Sequence, residues 1–265
     1  MNTYPFQTTS PPNFGASITD HTDDTLLICS DYIKKNSDDY LTYANLQQIL
    51  YSKHGISKSN FRCIMPLMKS FSFIQFEAKR PFYLRDFFTD LGKAYIKVLR
   101  QRLDIISSSH VNKAQVLKTV DNAIRNIRLL GLENCLKDVN TDVSSVYIIT
   151  LAYLLKFSRI DKFEFPFLWY HYQLDPKNYL DNMQETVLRY RQNNLQLQPI
   201  LIKQKEMDTF QGQSSYHQQA PGFSYILKTL EQCGLVFKET DSDYFSILPS
   251  KTETITRLLE KSQHE

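Results

Sequence analysis

Apolar side chains recur at helical spacing through most of this chain, interrupted by short alternating runs. After residue 23, Leu26, Leu27, Ser30 and Ile33 share one face of a short helix that ends near Lys35 and Asn36. A second helix, capped by Thr42, carries Leu46, Ile49 and Leu50 and stops at Gly55. Ser57 or Ser59 opens a third, in which Phe61, Ile64, Met65 and Met68 repeat every three to four residues. The link between the second and third, Lys53 to Ser57, has the length of a helix-turn-helix connection. The period then changes. Phe71 to Phe76 alternates at its start and is rich in aromatics, Lys79-Arg80-Pro81 is a turn, and Phe82-Tyr83-Leu84 is extended again, which predicts a hairpin. Thr89 caps the next helix, with Gly92 in its first turn and Leu91, Tyr95, Val98 and Leu99 along it.

Residues 104–205 read as all-helical. An amphipathic helix over 111–130 places Ala114, Leu117, Val120, Ile124 and Ile127 on one face and ends at Gly131, and 141–157 is a nearly continuous apolar helix. Asp175-Pro176 is an N-cap and first-turn pair that opens a helix to about Arg191. The aromatic run from Phe163 to Tyr170 alternates through a strand or turn broken by Pro166, and core packing explains it better than base stacking. After a Gln/Ser-rich loop at 211–219 the earlier pattern returns in miniature. Phe223, Ile226, Leu227 and Leu230 mark a helix ended by Gly234, two strands flank a turn at Glu239 to Asp243, and 251–260 is a final helix. Residues 1–22, with Pro5, Pro11 and Pro12 and no period, form a flexible or strapped-down arm. The segments are therefore 1–22, 23–103, 104–205 and 206–265, in a mainly α fold with short β-hairpins.

Composition removes many functions. The 265 residues include seven glycines, no two closer than ten apart, so neither dinucleotide nor P-loop phosphate cradles can be written. The longest nearly unbroken apolar stretch, 146–155, is about half of what a bilayer span needs, so no membrane partner is expected. The N-terminus lacks a basic and apolar leader, which points to a soluble cytoplasmic protein. Cys29, Cys63, Cys135 and Cys233 are scattered and read as reduced thiols, not as a zinc site or disulfide framework. His21, His54, His110, His171, His217 and His264 form no pair at helical spacing. No catalytic group, metal or cofactor is expected, and whether the chain is an enzyme stays open, with a non-enzyme favoured.

The overall charge of +3 hides a strong asymmetry. Residues 1–57 sum to −3, residues 58–103 to +7, residues 104–205 to +3 and residues 206–265 to −4. A block of positive charge is what a phosphate-facing surface requires, the alternative being a solvated helix face.

The order helix, helix, helix, hairpin, helix over 23–103, with the exit Phe88-Thr89-Asp90-Leu91-Gly92-Lys93-Ala94, resembles the winged-helix DNA-binding superfamily. The helix, hairpin and helix of 206–265 resemble the second half of a winged helix. The tandem is similar to the DNA-recognition region of type IIS restriction endonucleases, without their nuclease domain, and a transcriptional regulator fits equally. The resemblance implies double-stranded DNA binding without chemistry, the third helix lying in the major groove. Its exposed side would present Ser57, Lys58, Ser59, Asn60, Arg62, Pro66 and Lys69. Arg62 suits guanine and Asn60 adenine, while Lys58, Lys69, Lys79, Arg80 and Arg85 suit phosphates. Pro66 should bend or shorten that helix. The acidic second module reads as a protein-contact element, and 104–265 as a region for a protein partner or self-association. Two alternatives stay open. One is a protein-interaction scaffold without nucleic acid. The other is a Mg²⁺ nuclease using Glu77 and Lys79 on one face of a strand, which also needs a second acid nearby.

Overall fold

The chain begins in a strand. In the structure, a computed structural model that describes residues 2–108, 112–138, 142–202, 214–215 and 221–263, β1 (Asn2–Thr9) pairs in parallel with a segment far downstream, Asn2 facing Leu195 and Thr9 facing Ile202. Residues 1–22 are thus no loose arm. They hold a paired strand and, from Asp20, the start of a helix. His110, His217, His264 and most of the loop at 211–219 lie outside the described residues. The chain forms two compact units, Phe14–Asp138 and Met1–Asn13 with Val139–Glu265. That division cuts the stretch read as one helical connector.

In the first of these units α1 (Asp20–Lys35) is capped by Thr19, β2 (Tyr40–Leu41) follows, and α2 (Tyr43–His54) is capped by the Thr42 hydroxyl, which accepts from Asn45 N at 3.2 Å. Gly55 takes the left-handed conformation (φ 69°) that closes α2. Next, α3 (Lys58–Ser70) opens on Ser57, β3 (Phe82–Tyr83) returns, and α4 (Asp90–Ser107) opens on Thr89. Instead of a regular hairpin, β3 pairs with β2, Tyr40 facing Tyr83, and the segment after α3 meets the returning chain only around Ile74 and Phe88. There Gln75 N donates to Phe87 O at 2.8 Å and Thr89 N to Phe73 O at 3.2 Å. The reason is packing. Phe71, Phe73, Ile74, Phe87 and Phe88 are all buried, so the aromatics turn an irregular segment into the core instead of alternating between two faces.

The long helix α5 (Lys113–Lys137) runs straight through Gly131, which had been expected to end it. A Cβ at Gly131 would lie 2.6 Å from Phe71 Cδ1 and 2.9 Å from Phe73 Cζ. The glycine therefore serves close approach, not termination. Three buried polar groups join α1, α4 and α5. Tyr95 Oη donates to Asp23 Oδ1 at 2.6 Å, Arg128 Nε donates to Tyr95 Oη at 2.7 Å, and Arg128 Nη2 meets Asp23 Oδ2 at 2.6 Å.

The second unit adds α6 (Asp142–Phe157), β4 (Arg159–Ile160), α7 (Glu164–Leu174), α8 (Tyr179–Asn182), α9 (Gln184–Arg191), β5 (Leu195–Ile202), β6 (Ser214–Ser215), α10 (Pro221–Gln232), β7 (Val236–Lys238), β8 (Phe245–Ile247) and α11 (Thr252–Gln263). Two small sheets result, ordered β1-β5-β6 and β4-β8-β7. The aromatic run is a helix, not a strand or turn. Asp161 accepts from the backbone N–H groups of Phe163 and Glu164, both at 2.8 Å, while Glu164 accepts from Asp161 N at 3.2 Å. This reciprocal cap starts α7, and Pro166 falls in its first turn, where no N–H is needed. Phe165, Phe167 and Leu168 are fully buried, and Phe167 meets Phe6 of β1 edge-on at 5.0 Å. Asp175 caps a turn instead of a long helix, accepting from Lys177 N and Asn178 N, and the helix reaching Arg191 is two short pieces. Strand β5 lies in sequence that had been read as helical.

Both units follow one order of elements. It is helix, short strand, helix, helix, returning strand and helix, as α1-β2-α2-α3-β3-α4 and, with an insertion after α7 and one additional strand, β7, as α6-β4-α7-α10-β7-β8-α11. In each, the short first strand pairs with the returning one.

Candidate nucleic-acid interface

The basic surface is built around α3. Phe61, Ile64, Met65, Leu67 and Met68 are buried, so the opposite side, with Lys58, Ser59, Arg62, Pro66 and Lys69, is exposed. The helix continues past Pro66 to Ser70; the proline sits on the outer side, where it removes only the donor that would have met the Arg62 carbonyl.

The nine anticipated residues fall into distinct roles. Ser57 spends its hydroxyl as a cap, accepting from Asn60 N at 3.1 Å. Lys58 lies 5.6 Å over the Tyr51 ring, and Asn60 Nδ2 is 3.0 Å from His21 Nε2. Ser59, Arg62 and Lys79 are exposed, and Arg62 and Lys79 make no ion pair among the described residues. Lys69 is a strut. Its Nζ donates to Phe76 O at 2.9 Å and stands 5.1 Å over the Phe76 ring, tying the end of α3 to the following turn. Arg80 pairs with Glu77 at 3.1 Å inside that turn. Arg85 pairs with Asp38 at 3.1 Å and lies 4.5 Å over Tyr83.

Exposed ion pairs contribute about 0–1 kcal/mol each, so the partners of Arg80 and Arg85 can be exchanged for phosphate at little cost. Glu77 and Lys79 lie in a turn closed by Arg80 N donating to Glu77 O at 3.2 Å, so the two-residue spacing does not put them on one strand face. Among the described residues no three His, Cys, Asp or Glu side chains gather closely enough to hold a metal ion. In the second unit, the β7–β8 turn carries Glu239, Asp241 and Asp243. The Ser246 hydroxyl lowers the pKa of the Glu239 carboxyl, and Lys162 lowers that of Asp243. A turn of that sign repels phosphate.

The aromatics around the basic turn went unnoticed as surface features. Tyr40 is 57% and Tyr83 43% exposed, with ring centroids 4.9 Å apart. Tyr43 stacks on Phe76 at 4.3 Å and 7°, and burial pushes its phenol up to about 12, so it stays a neutral donor, here to Phe61 O. The density of Phe and Tyr in 71–83 was the available signal.

Comparison with protein families, curated proteins and solved structures finds no match for this chain. Among the described residues no helix is long and apolar enough to cross a membrane.

His171 of α7 is buried, and its Nε2 has no hydrogen-bond partner among the described residues. Burial lowers its pKa. A base whose folded pKa is depressed binds fewer protons in the folded state, so its stabilising effect is present above the unfolded value near 6.5 and is lost as pH falls through the folded value. Each unit of depression corresponds to about 1.4 kcal/mol. Denaturant midpoints measured from pH 7.5 to 5 should fall, and the fall should shrink in His171→Phe, an apolar ring beside Phe167 and Tyr170. Equal slopes for the two proteins would remove His171 as the cause.

Proposed function

We propose that the chain binds double-stranded DNA through a winged-helix-like module formed by α1 to α4, with α3 in the major groove and the turn carrying Lys79 and Arg80 against the backbone. The observation that carries this reading is the exposed outer side of α3, with Arg62 in no ion pair among the described residues, continued by the strut Lys69 into a turn that bears Lys79 and Arg80. Arg62 reads guanine, Asn60 reads adenine after leaving His21, and Lys58, Lys69, Lys79, Arg80 and Arg85 position phosphates. The second unit repeats the order of elements with an acidic turn. It serves as a winged-helix-like protein-contact module, for a partner or for self-association. The protein performs no chemistry itself, as the recognition part of a restriction-type system or as a transcriptional regulator.

Binding to random duplex should weaken steeply with salt, by about 0.9 logarithmic units per neutralised phosphate for each logarithmic unit of salt. Lys79→Ala with Arg80→Ala should lower affinity for every sequence and reduce the salt slope by about two. Arg62→Ala should also relax preference at one base pair, costing about 1–3 kcal/mol on the preferred site. A flat salt response would sink the DNA reading and leave a protein scaffold.

A further inference from the structure

Between the end of α3 and the basic turn lies a cavity of about 370 Å³, lined by Lys69, Phe76, Glu77, Arg80, Phe82 and Asp86, with Gln75 and Pro81. That volume falls within the range of small-molecule clefts, about 300–1,000 Å³. Phe76 and Phe82 are half-buried, in contrast to the fully buried Phe71, Phe73 and Phe87 around them. Each is braced from behind. Phe76 stacks on Tyr43 with planes 7° apart, and Phe82 stacks on Phe87 with centroids at 5.7 Å and planes 18° apart. Lys69 Nζ stands over the Phe76 ring, which leaves Phe82, braced by Phe87 and with its remaining surface in the cavity, as the platform for another flat ring.

The rim has both signs of charge. Lys69 Nζ stands at the Phe76 ring, and Arg80 offers a guanidinium whose exposed pairing with Glu77 is easily exchanged. Opposite in charge are Glu77 and Asp86, the latter exposed and without an ion pair among the described residues. An aromatic floor, two cations and two carboxylates within one small cavity match the ring of a base, a phosphate and an exocyclic amine on that base. The floor takes the base, the cations take the phosphate, and the carboxylates accept from an exocyclic amine, as acidic side chains accept from cytosine N4. The cavity along α4 lacks this combination, having cations but a single aromatic wall, Phe88.

We infer that this cavity holds a single nucleotide whose base bears an exocyclic amine. The inference rests on the DNA reading only for one of its two sources, a nucleotide extruded from duplex DNA; the other source is a nucleotide free in solution. Extrusion supplies the planar ring that an intact duplex keeps stacked, and a mismatched or unpaired base leaves the stack most readily.

The test uses the full chain with two probes. In the first, AMP, CMP, GMP and UMP are titrated calorimetrically. In the second, duplexes carry 2-aminopurine at successive positions and fluorescence is followed on binding. The inference is supported if AMP, CMP and GMP bind more tightly than UMP, or if emission rises at one position, and if Phe82→Ala weakens that signal about tenfold or more while melting as the parent does. Asp86→Asn, on an exposed side chain, should abolish the preference over UMP and serves as the variant if Phe82→Ala fails to fold. Absence of both a mononucleotide signal and a 2-aminopurine signal that depend on these residues overturns the inference, whether or not duplex binds. Absence of salt-dependent duplex binding overturns the DNA reading separately, and the mononucleotide titration then decides the cavity by itself.

Discussion

Replacing Arg128 with alanine should destabilise the unit Phe14–Asp138 by about 3–5 kcal/mol, a large share of the roughly 5–15 kcal/mol a domain possesses. The size follows from what remains behind. Arg128 and Asp23 are only 7% and 9% exposed, and the guanidinium satisfies both the carboxylate and the Tyr95 hydroxyl. Removing it strands a buried carboxylate from α1 against a buried phenol from α4. Asp23 already sits in surroundings that raise its pKa through burial, which the neighbouring arginine opposes. Without that opposition the carboxyl must take up a proton or draw water into the core, and either outcome loosens the joint of α1, α4 and α5. A triple replacement, Asp23→Leu, Tyr95→Phe and Arg128→Met, should recover much of the loss, because no buried polar group is then left without a partner. Urea denaturation decides the matter. With a slope of about 1–3 kcal/mol per molar, the single variant should move the midpoint by more than about 1 M, and a shift below about 0.3 M would show that the cluster is not what joins the three helices. The salt slope of the proposed DNA binding should be untouched in protein that remains folded, since none of the three residues belongs to the exposed basic surface.

How much of this architecture the sequence disclosed depends on the range of the interactions involved. Local chemistry was legible. Thr42, Ser57 and Thr89 cap the helices they were expected to cap, Gly55 and Gly234 adopt positive φ at helix ends, and the exposed side of α3 is the one its apolar period implies. Of the nine candidate residues, Lys58, Ser59, Arg62 and Lys69 lie on the exposed side of α3 that this period implies, whereas Lys79, Arg80 and Arg85 lie beyond the helix, where the period says nothing. Long-range pairing was not legible. β1 reads as a polar, proline-bearing arm because half of it is exposed, and what makes it a strand is β5, whose own Leu-Gln-Leu-Gln-Pro start lies in the other part of the chain. The reading of Glu77 and Lys79 as strand neighbours failed for a related reason. The aromatics flanking them are drawn into the core individually, and the backbone between is left to turn. Asp161 and Glu164 made a legible capping box, but the aromatic run drew attention to alternation instead of to the cap that precedes it. The density of Phe and Tyr in 71–83 marks an aromatic cluster, but sequence gives no exposure for a residue such as Tyr40 or Tyr83 whose strand is two residues long.

Gly92→Ala is the second large effect, expected to cost more than about 3 kcal/mol, beyond the ordinary range for one added methyl in a packed core. A Cβ at this position would lie 1.8 Å from the carbonyl oxygen of Phe73 and 2.8 Å from its carbon. Neither side can yield cheaply. The Phe73 carbonyl accepts from Thr89 N, and Thr89 Oγ1 donates to Ser72 O at 2.5 Å, so the start of α4 is fastened to the very segment it would have to leave. The Phe73 side chain is fully buried and stacked on Tyr95 at 4.6 Å, which blocks retreat in the other direction. Alanine's better helix propensity, about 1 kcal/mol over glycine, is too small to compensate. Gly131→Ala provides the contrast. There the obstructing atoms belong to the side chains of Phe71 and Phe73 and not to backbone, so rings that must move give way at less cost than a hydrogen-bonded carbonyl, and the same propensity gain offsets part of the strain. Denaturant midpoints of the two variants should therefore separate clearly, with Gly92→Ala much the lower. If both variants lie within about 0.5 kcal/mol of the parent, the start of α4 has room that these contacts deny, and the tight seating of α4 on the segment after α3 is wrong.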